Sequence, residues 1–352
     1  MMRTTVNQAY HDTVVTGLAA ISSAGVGIDP LREALQRGEC LLKPVPEGIL
    51  AESGQLWGKA DAFRAADFMP PLKARKFDRC SLFAVVAAGM ALKDAGIVPG
   101  SFDPARIGVV LGCGFGGINN AEEFLRGYFT SGAEGMVPML FPNIVPNASA
   151  SNASIEHKLK GPNVTTIQRF CSAESAFLMA LRFLEEDRAD IILTGGVDEV
   201  TPLMLKGFSA MGQLRSHGSG FGEGAGILVL ERGDHARKRK AKVLAGVGGV
   251  RTIGRLASGA VREGIDRLLP DPCEADLVAL SGTAPGEREL LDRLPSAPRL
   301  EPGLILGRSL AMGGLAMTSL VLRLAPGAKG LYLAASPEGP LYAIDWYGGD
   351  PD

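Results

Sequence analysis

Cys171 is the residue best placed to act as a nucleophile. It stands between a β-branched run, Asn163–Ile167 (NVTTI), and an amphipathic helical stretch, SAESAFLMALRFLEE. That junction sets its sulfur at a helix N-terminus, where the dipole and free backbone N–H groups stabilise a thiolate. The alternative is a packed structural cysteine, the usual fate of a buried thiol. Cys40, Cys80, Cys113 and Cys273 have no such setting, although Cys113, in a glycine turn, could line the same pocket. The five are odd in number, scattered and never in C-x-x-C spacing, which argues against a disulfide framework or a zinc site and for a reducing, cytoplasmic setting.

A second constellation is formally a phosphate cradle. Gly112-Cys113-Gly114-Phe115-Gly116-Gly117 satisfies G-x-G-x-x-G after a strand and before a helix. A dinucleotide site also needs an acidic residue about 20 positions on, and MVPMLFPN stands there instead. No cofactor and no metal is therefore expected. The histidines, His11, His157, His217 and His235, read as solvated or structural.

The elements that position these residues alternate short β-branched runs with helical periods, the pattern of an α/β protein with largely parallel strands. Strands are expected at Thr13–Gly17, Arg106–Gly112, Ala189–Gly195, Val243–Val250, Leu277–Leu280, Gly330–Ala335 and Leu341–Trp346. Helices are expected at Pro30–Arg37, Asp78–Ala95 with Asp78 as N-cap, Ala121–Tyr128, Ser172–Glu186, Ala260–Leu269 and Glu287–Leu294, with another running from Gly313-Gly314 to Leu324. Across 352 residues, 46% are hydrophobic and 21% charged, enough for a sizeable core. A net charge of −2 gives no basic field for nucleic acid. The longest apolar stretch, Leu82–Leu92, is too short to span a bilayer, and the N-terminal residues lack the apolar core of a signal peptide. The basic run at 235–242 (HARKRKAK) reads as a solvated helix end, with docking of an acidic carrier protein as the second reading.

Several segments together resemble the β-ketoacyl synthase, or condensing enzyme, family. They are VVTGLAAISSAGVG, DRCSLFAVVAAGMALKDAGI, IGVVLGCGFGGINNAEEF, PNIVPNASASNASIEHKLKGPNVTT followed by Cys171, then ADIILTGGVDEVTP and GFGEGAGILVLE. The resemblance covers roughly residues 12–250 well and the rest poorly. It implies a thiolase-like α/β fold, with two pseudo-symmetric halves whose mixed sheets form a layered αβαβα sandwich. An N-terminal half, 1–238, would carry the cysteine, and a shortened, divergent half would follow over 239–352. It also implies a dimer, with Met139-Leu140-Phe141-Pro142 and the strand Asn163–Ile167 as interface candidates, and acyl-carrier-protein or acyl-CoA thioesters as partners.

In that family a helix-terminal Cys accepts an acyl group, backbone N–H groups stabilise the oxyanion, and two His with a Lys promote decarboxylation. Here Ser281 stands where the first His opens an H-G-T-G-T stretch, with Gly282 and Thr283 keeping the turn. The K-S-x-x-G-H pattern is matched by ILGRSLAMGG, with Arg308 at the Lys position and Gly313 where the second His is expected. AASPEGPLYAIDW replaces the family's late glycine-rich loop, the source of the second oxyanion N–H. Serine does not titrate near neutrality, glycine has no side chain, and Arg308 stays charged, able to hold a phosphate or carboxylate but not to act as a base. Phe170, bulkier than the residue usual before the nucleophile, is expected to narrow the acyl pocket; simple core packing is the other reading.

The resemblance therefore implies a degenerate member. One reading is acyl transfer through Cys171, with Phe170, Ser281, Thr283, Arg308 and Gly313 lining the substrate, without decarboxylative condensation. A second is a non-catalytic partner, like a chain-length factor, of an intact ketosynthase, so that the dimer is a homodimer or a heterodimer. A third is an unusual active 3-oxoacyl synthase. Glu174, one turn into the helix, suits the dipole but would oppose a thiolate if it reached the pocket.

Overall fold

The structure, a computed structural model, describes residues 6–9, 12–52, 54–98, 100–214, 220–254, 261–269, 273–281, 292–294, 296–336 and 339–349. Apolar runs supply a twelve-stranded mixed sheet. Its order is β13 (Arg299–Leu300), β12 (Leu277–Leu280), β14 (Lys329–Ala335), β15 (Leu341–Gly348), β11 (Ala245–Ile253), β2 (Thr13–Ser22), β10 (Gly224–Arg232), β8 (Ile191–Asp198), β6 (Ile107–Cys113) and β7 (Asn163–Thr166). β1 (Val6–Ala9) adds to β11, and β3 (Gly25–Val26) to β2. A small second sheet joins β4 (Lys43–Pro44), β5 (Leu56–Gly58) and β9 (Phe221–Gly222).

The large sheet is two sheets joined at a narrow seam, because β2 and β11 pair only through Val15 with Ala245 and Val14 with Gly246. In the first half β6 runs parallel to β7 and β8, and β10 lies antiparallel between β8 and β2. In the second half β12 runs parallel to β13 and β14, and β15 lies antiparallel between β14 and β11. The buried helices Ser172–Glu185 and Gly313–Arg323 fill the space between the sheets, where Phe177 and Leu320 share one core with Leu228 of β10 and Trp346 of β15. Helices Arg79–Asp94 and Ala148–Glu156 cover the outer face of the first sheet, and helix Val261–Leu268 covers that of the second. This is the five-layered αβαβα sandwich expected of a thiolase-like fold.

The helix expected at Asp78–Ala95 runs from Arg79 to Asp94, and the Asp78 carboxylate caps it by accepting from the Ser81 N–H at 2.9 Å. Cys113 ends β6 instead of sitting in the glycine turn, and its buried sulfur lies 3.8 Å from that of Cys80. Gly282, Thr283, His11, His217 and most of the helix expected at Glu287–Leu294 lie outside the described residues. Among the described residues no helix is long and apolar enough to cross a membrane.

Candidate active site

Chain geometry around Cys171 is set by its neighbours. A 3-10 turn, Arg169–Cys171, leads into helix Ser172–Glu185, with Cys171 at the N-cap position. Ser172 staples that turn: its hydroxyl accepts from the Gln168 N–H at 2.9 Å and donates to the Arg169 carbonyl at 2.7 Å. Arg169 is left with φ +52°, which a non-glycine residue adopts only under constraint. Its guanidinium lies over the rings of Phe115 and Phe208, 5.7 Å from each centroid.

The glycine motif serves packing against this helix start. A Cβ on Gly112 would come within 2.3 Å of the Ser172 carbonyl carbon, so only glycine lets the helix seat directly on β6. The Gly114 N–H donates to Asp198 at 2.7 Å, and the other oxygen of that carboxylate accepts from the Ala311 N–H at 2.6 Å. Asp198, at the end of β8, thus ties the turn after β6 to the turn before helix Gly313–Arg323. Burial pushes its carboxyl up to about 7, against the hydrogen bonds that favour the anion.

Cys171 itself is fully buried, and its thiol donates to the carbonyl of Pro340, 3.8 Å away. The contact faces an acceptor towards the sulfur, and proline has no N–H to offer in return. Phe170 is also buried, with its ring 6.3 Å from that of Phe208, in a cluster with Leu205, Phe221 and Leu310.

Glu174 is completely buried on the same helix, and its carboxylate accepts from the Tyr332 hydroxyl. It reaches the backbone of Gly313, where an added Cβ would lie 2.3 Å from its Oε1 and 2.6 Å from its Cδ. A side chain at position 313 and the carboxylate of Glu174 therefore compete for one volume. Tyr342 closes the group: its hydroxyl donates to Gln168 Oε1 at 2.7 Å, and burial, with Cys171 and Glu174 nearby, pushes its phenol well above the usual range.

The remaining predicted site residues form a second cluster. Ser281 is buried after β12, and the space above Gly303 is closed by the Ser281 carbonyl and the Arg308 side chain, 3.4 and 3.1 Å from an added Cβ. Arg308 is held by its main chain, donating to the Gly220 carbonyl at 2.8 Å and accepting from the Gly222 N–H at 2.7 Å. Gly313 therefore joins the Cys171 helix, and Ser281 joins Arg308. Asp198, Tyr332 and Tyr342 were missed by sequence reasoning, the two tyrosines because they sit in strands that read as core. For Asp198 a signal existed, an acid closing the apolar strand ADIILTGGVD.

Beneath this site lies a charged network. Glu223, fully buried, accepts from Arg79 (2.6 Å) and Lys59 (2.5 Å) and from the backbone N–H groups of Ala60 and Val200. Burial pushes its carboxyl up, but Arg79 and Lys59 outweigh that and hold it below the usual range. Among the described residues no group of three or more His, Cys, Asp and Glu is gathered closely enough to hold a metal ion.

Comparison with known proteins gives this arrangement its context. Residues 11–236 match the family described as "Beta-ketoacyl synthase, N-terminal domain". The chain is 31% identical over 261 residues to a 3-oxoacyl-[acyl-carrier-protein] synthase 2 of Rhizobium meliloti (strain 1021), covering 66% of this chain and 62% of that protein. It is 29% identical over 259 residues to a Staphylococcus aureus protein of the same name, covering 68% and 64%. The chain thus spans just under two thirds of the length of these curated relatives. Among solved structures, the ishigamide ketosynthase/chain length factor superposes with a TM-score of 0.84 at 21% identity, covering 96% of this chain and 100% of that one. A β-ketoacyl synthase from Burkholderia phymatum STM815 superposes with a TM-score of 0.80 at 18% identity, covering 97% and 100%.

Proposed function

Because this chain belongs to the β-ketoacyl synthase family, we propose that it is a non-condensing member that works as the partner subunit of an intact ketosynthase. The observation that carries this reading is the buried carboxylate of Glu174 at the α-carbon of Gly313. Gly313 is where the family's second histidine is expected, so the histidine is not merely missing: a carboxylate from the cysteine helix fills its space. A carboxyl side chain there occupies the volume an imidazole at position 313 would need, so the decarboxylating histidine has no room in this packing.

Two further features support the same reading. The Cys171 thiol donates to Pro340, in the segment that replaces the family's oxyanion loop, so a donor has given way to an acceptor. Phe170, one residue before the cysteine and packed among Phe208, Phe221 and Leu310, adds bulk at the start of that helix, and on this reading the acyl chain is left to the partner. The partner would dock along edge strand β7 and the 3-10 stretch Pro138–Asn143, where Met139, Phe141 and Ile167 stand exposed and the edge of β7 has no strand partner among the described residues. The ishigamide protein, whose name pairs a ketosynthase with a chain length factor, is consistent with such an assembly.

Acyl transfer through Cys171 is the second reading, and what favours it is the retained cysteine at the start of helix Ser172–Glu185. Intact mass after incubation with acyl-carrier-protein and acyl-CoA thioesters separates the two. The partner reading predicts no adduct on the folded protein. A gain of one acyl group, lost in Cys171→Ala, would replace it with the transferase.

A further inference from the structure

Far from the thiol, at the opposite end of β6, lies a pocket of about 240 Å³ that the family chemistry does not use. Ile107, the first residue of β6, lines it, whereas Gly112 near the other end packs on Ser172. At about 3.3 Å per residue, the two places are on the order of 17 Å apart.

The walls are apolar, formed by Leu92, Ile97, Phe102, Pro104, Ile107 and Leu159. Leu92, Ile97 and Ile107 are buried members of the outer core, and Phe102 and Leu159 pack against it, so the floor is preformed. Among the described residues the polar side chains lining the pocket are all basic, His157, Lys158 and Lys160, and none is a carboxylate. The His157 ring is fixed by a 2.8 Å hydrogen bond between Nε2 and the Val85 carbonyl. A carbonyl can only accept, so Nε2 is the donor in that bond. The backbone is tightly held as well. The Lys160 N–H donates to the Pro104 carbonyl at 2.8 Å, and Lys158 turns the chain at φ +57°. Both lysine side chains are exposed, and neither ammonium meets a carboxylate among the described residues.

We propose that this pocket binds a small apolar carboxylate, with its hydrocarbon on the Phe102–Leu159 floor and its anion at Lys158 and Lys160. Apolar walls with a few convergent polar groups are the usual form of a small-molecule site. The volume sets the size, since a cavity of about 150 Å³ accommodates benzene and drug-sized ligands need about 300 Å³ or more. A benzoate or a medium-length alkyl carboxylate fits between those limits. The inference is independent of whether the chain is a partner subunit or a transferase.

Calorimetric titration of the full chain with sodium octanoate and sodium benzoate, with octanol as the uncharged counterpart, tests the proposal. One-to-one binding is expected for at least one carboxylate, and which of the two binds more tightly distinguishes an alkyl from an aryl ligand. Lys158→Gln with Lys160→Gln weakens that carboxylate roughly five- to tenfold and leaves octanol unchanged, the scale of two exposed charge contacts. Raising salt weakens only the carboxylate. Val98→Trp, at an exposed position on the rim, blocks all binding. The lysine pair is wholly on the surface, so the experiment stays decisive even if Val98→Trp does not fold. The proposal is overturned if neither carboxylate binds, or if carboxylate binding is indifferent to the lysine substitutions.

Discussion

At the scale of single residues, Gly313 and Glu174 behave as one unit. A methyl group at 313 would sit 2.3 Å from a carboxylate oxygen that is itself buried and held by Tyr332. Overpacking of this kind typically costs about 1–3 kcal/mol, which outweighs the roughly 1 kcal/mol that alanine gains over glycine inside a helix. Gly313→Ala should therefore lower stability by up to about 2 kcal/mol in urea unfolding. Placed in a Glu174→Ala background, the same substitution should become neutral or stabilising, a coupling that a double-mutant cycle reads directly. Equal effects in both backgrounds would mean that the two residues do not share the volume. The placement of Cys171 at a helix start was legible from its strand-to-helix junction. Its surroundings were not, because Glu174 meets Gly313 and Cys171 meets Pro340 across the two halves of the chain, and no local pattern records such contacts.

At the scale of elements, three buried carboxyl groups of two opposite characters, Glu223 against Asp198 and Glu199, hold the turns around the site. Glu223 is an anion clamped by Lys59 and Arg79. Replacing it by alanine strands two partly buried cations and should cost about 3 kcal/mol or more, measured as a drop in the urea midpoint. Asp198 and Glu199 are the reverse case: burial pushes each up to about 7. The folded protein keeps these protons up to about pH 7, whereas the unfolded chain releases them near pH 4. Their contribution to stability is thus complete at low pH and lost as pH rises through about 7. The melting temperature should fall between about pH 4.5 and pH 7.5 and level off above, and Asp198→Asn with Glu199→Gln should flatten that slope. A flat wild-type profile would contradict this assignment. Helix Ser172–Glu185 and strand β6 fall within a residue or so of their sequence-derived bounds, because apolar period and caps are local signals. Glu223 was hidden inside GFGEGAGILVLE, a largely apolar run whose first acid declares nothing about the lysine and arginine that answer it from distant segments.

At the scale of the whole molecule, two sheets joined at a narrow seam enclose a pair of buried helices, one carrying Cys171 and the other beginning at Gly313. The family's architecture is intact across the chain, which is what the proposed role of a subunit kept for its shape requires. The exposed apolar residues beside edge strand β7 are then the surface to disturb. Phe141→Asp with Met139→Asp should abolish assembly with an intact ketosynthase in light scattering while leaving the melting temperature of the isolated chain within a few degrees. Unimpaired assembly would move the interface elsewhere. The most direct test of the central claim is mass analysis of carrier-protein thioesters after incubating this chain alone with acyl- and malonyl-carrier protein, beside Cys171→Ala. The account predicts no 3-oxoacyl product from either protein; a 3-oxoacyl product from the wild-type chain that disappears in Cys171→Ala would contradict it.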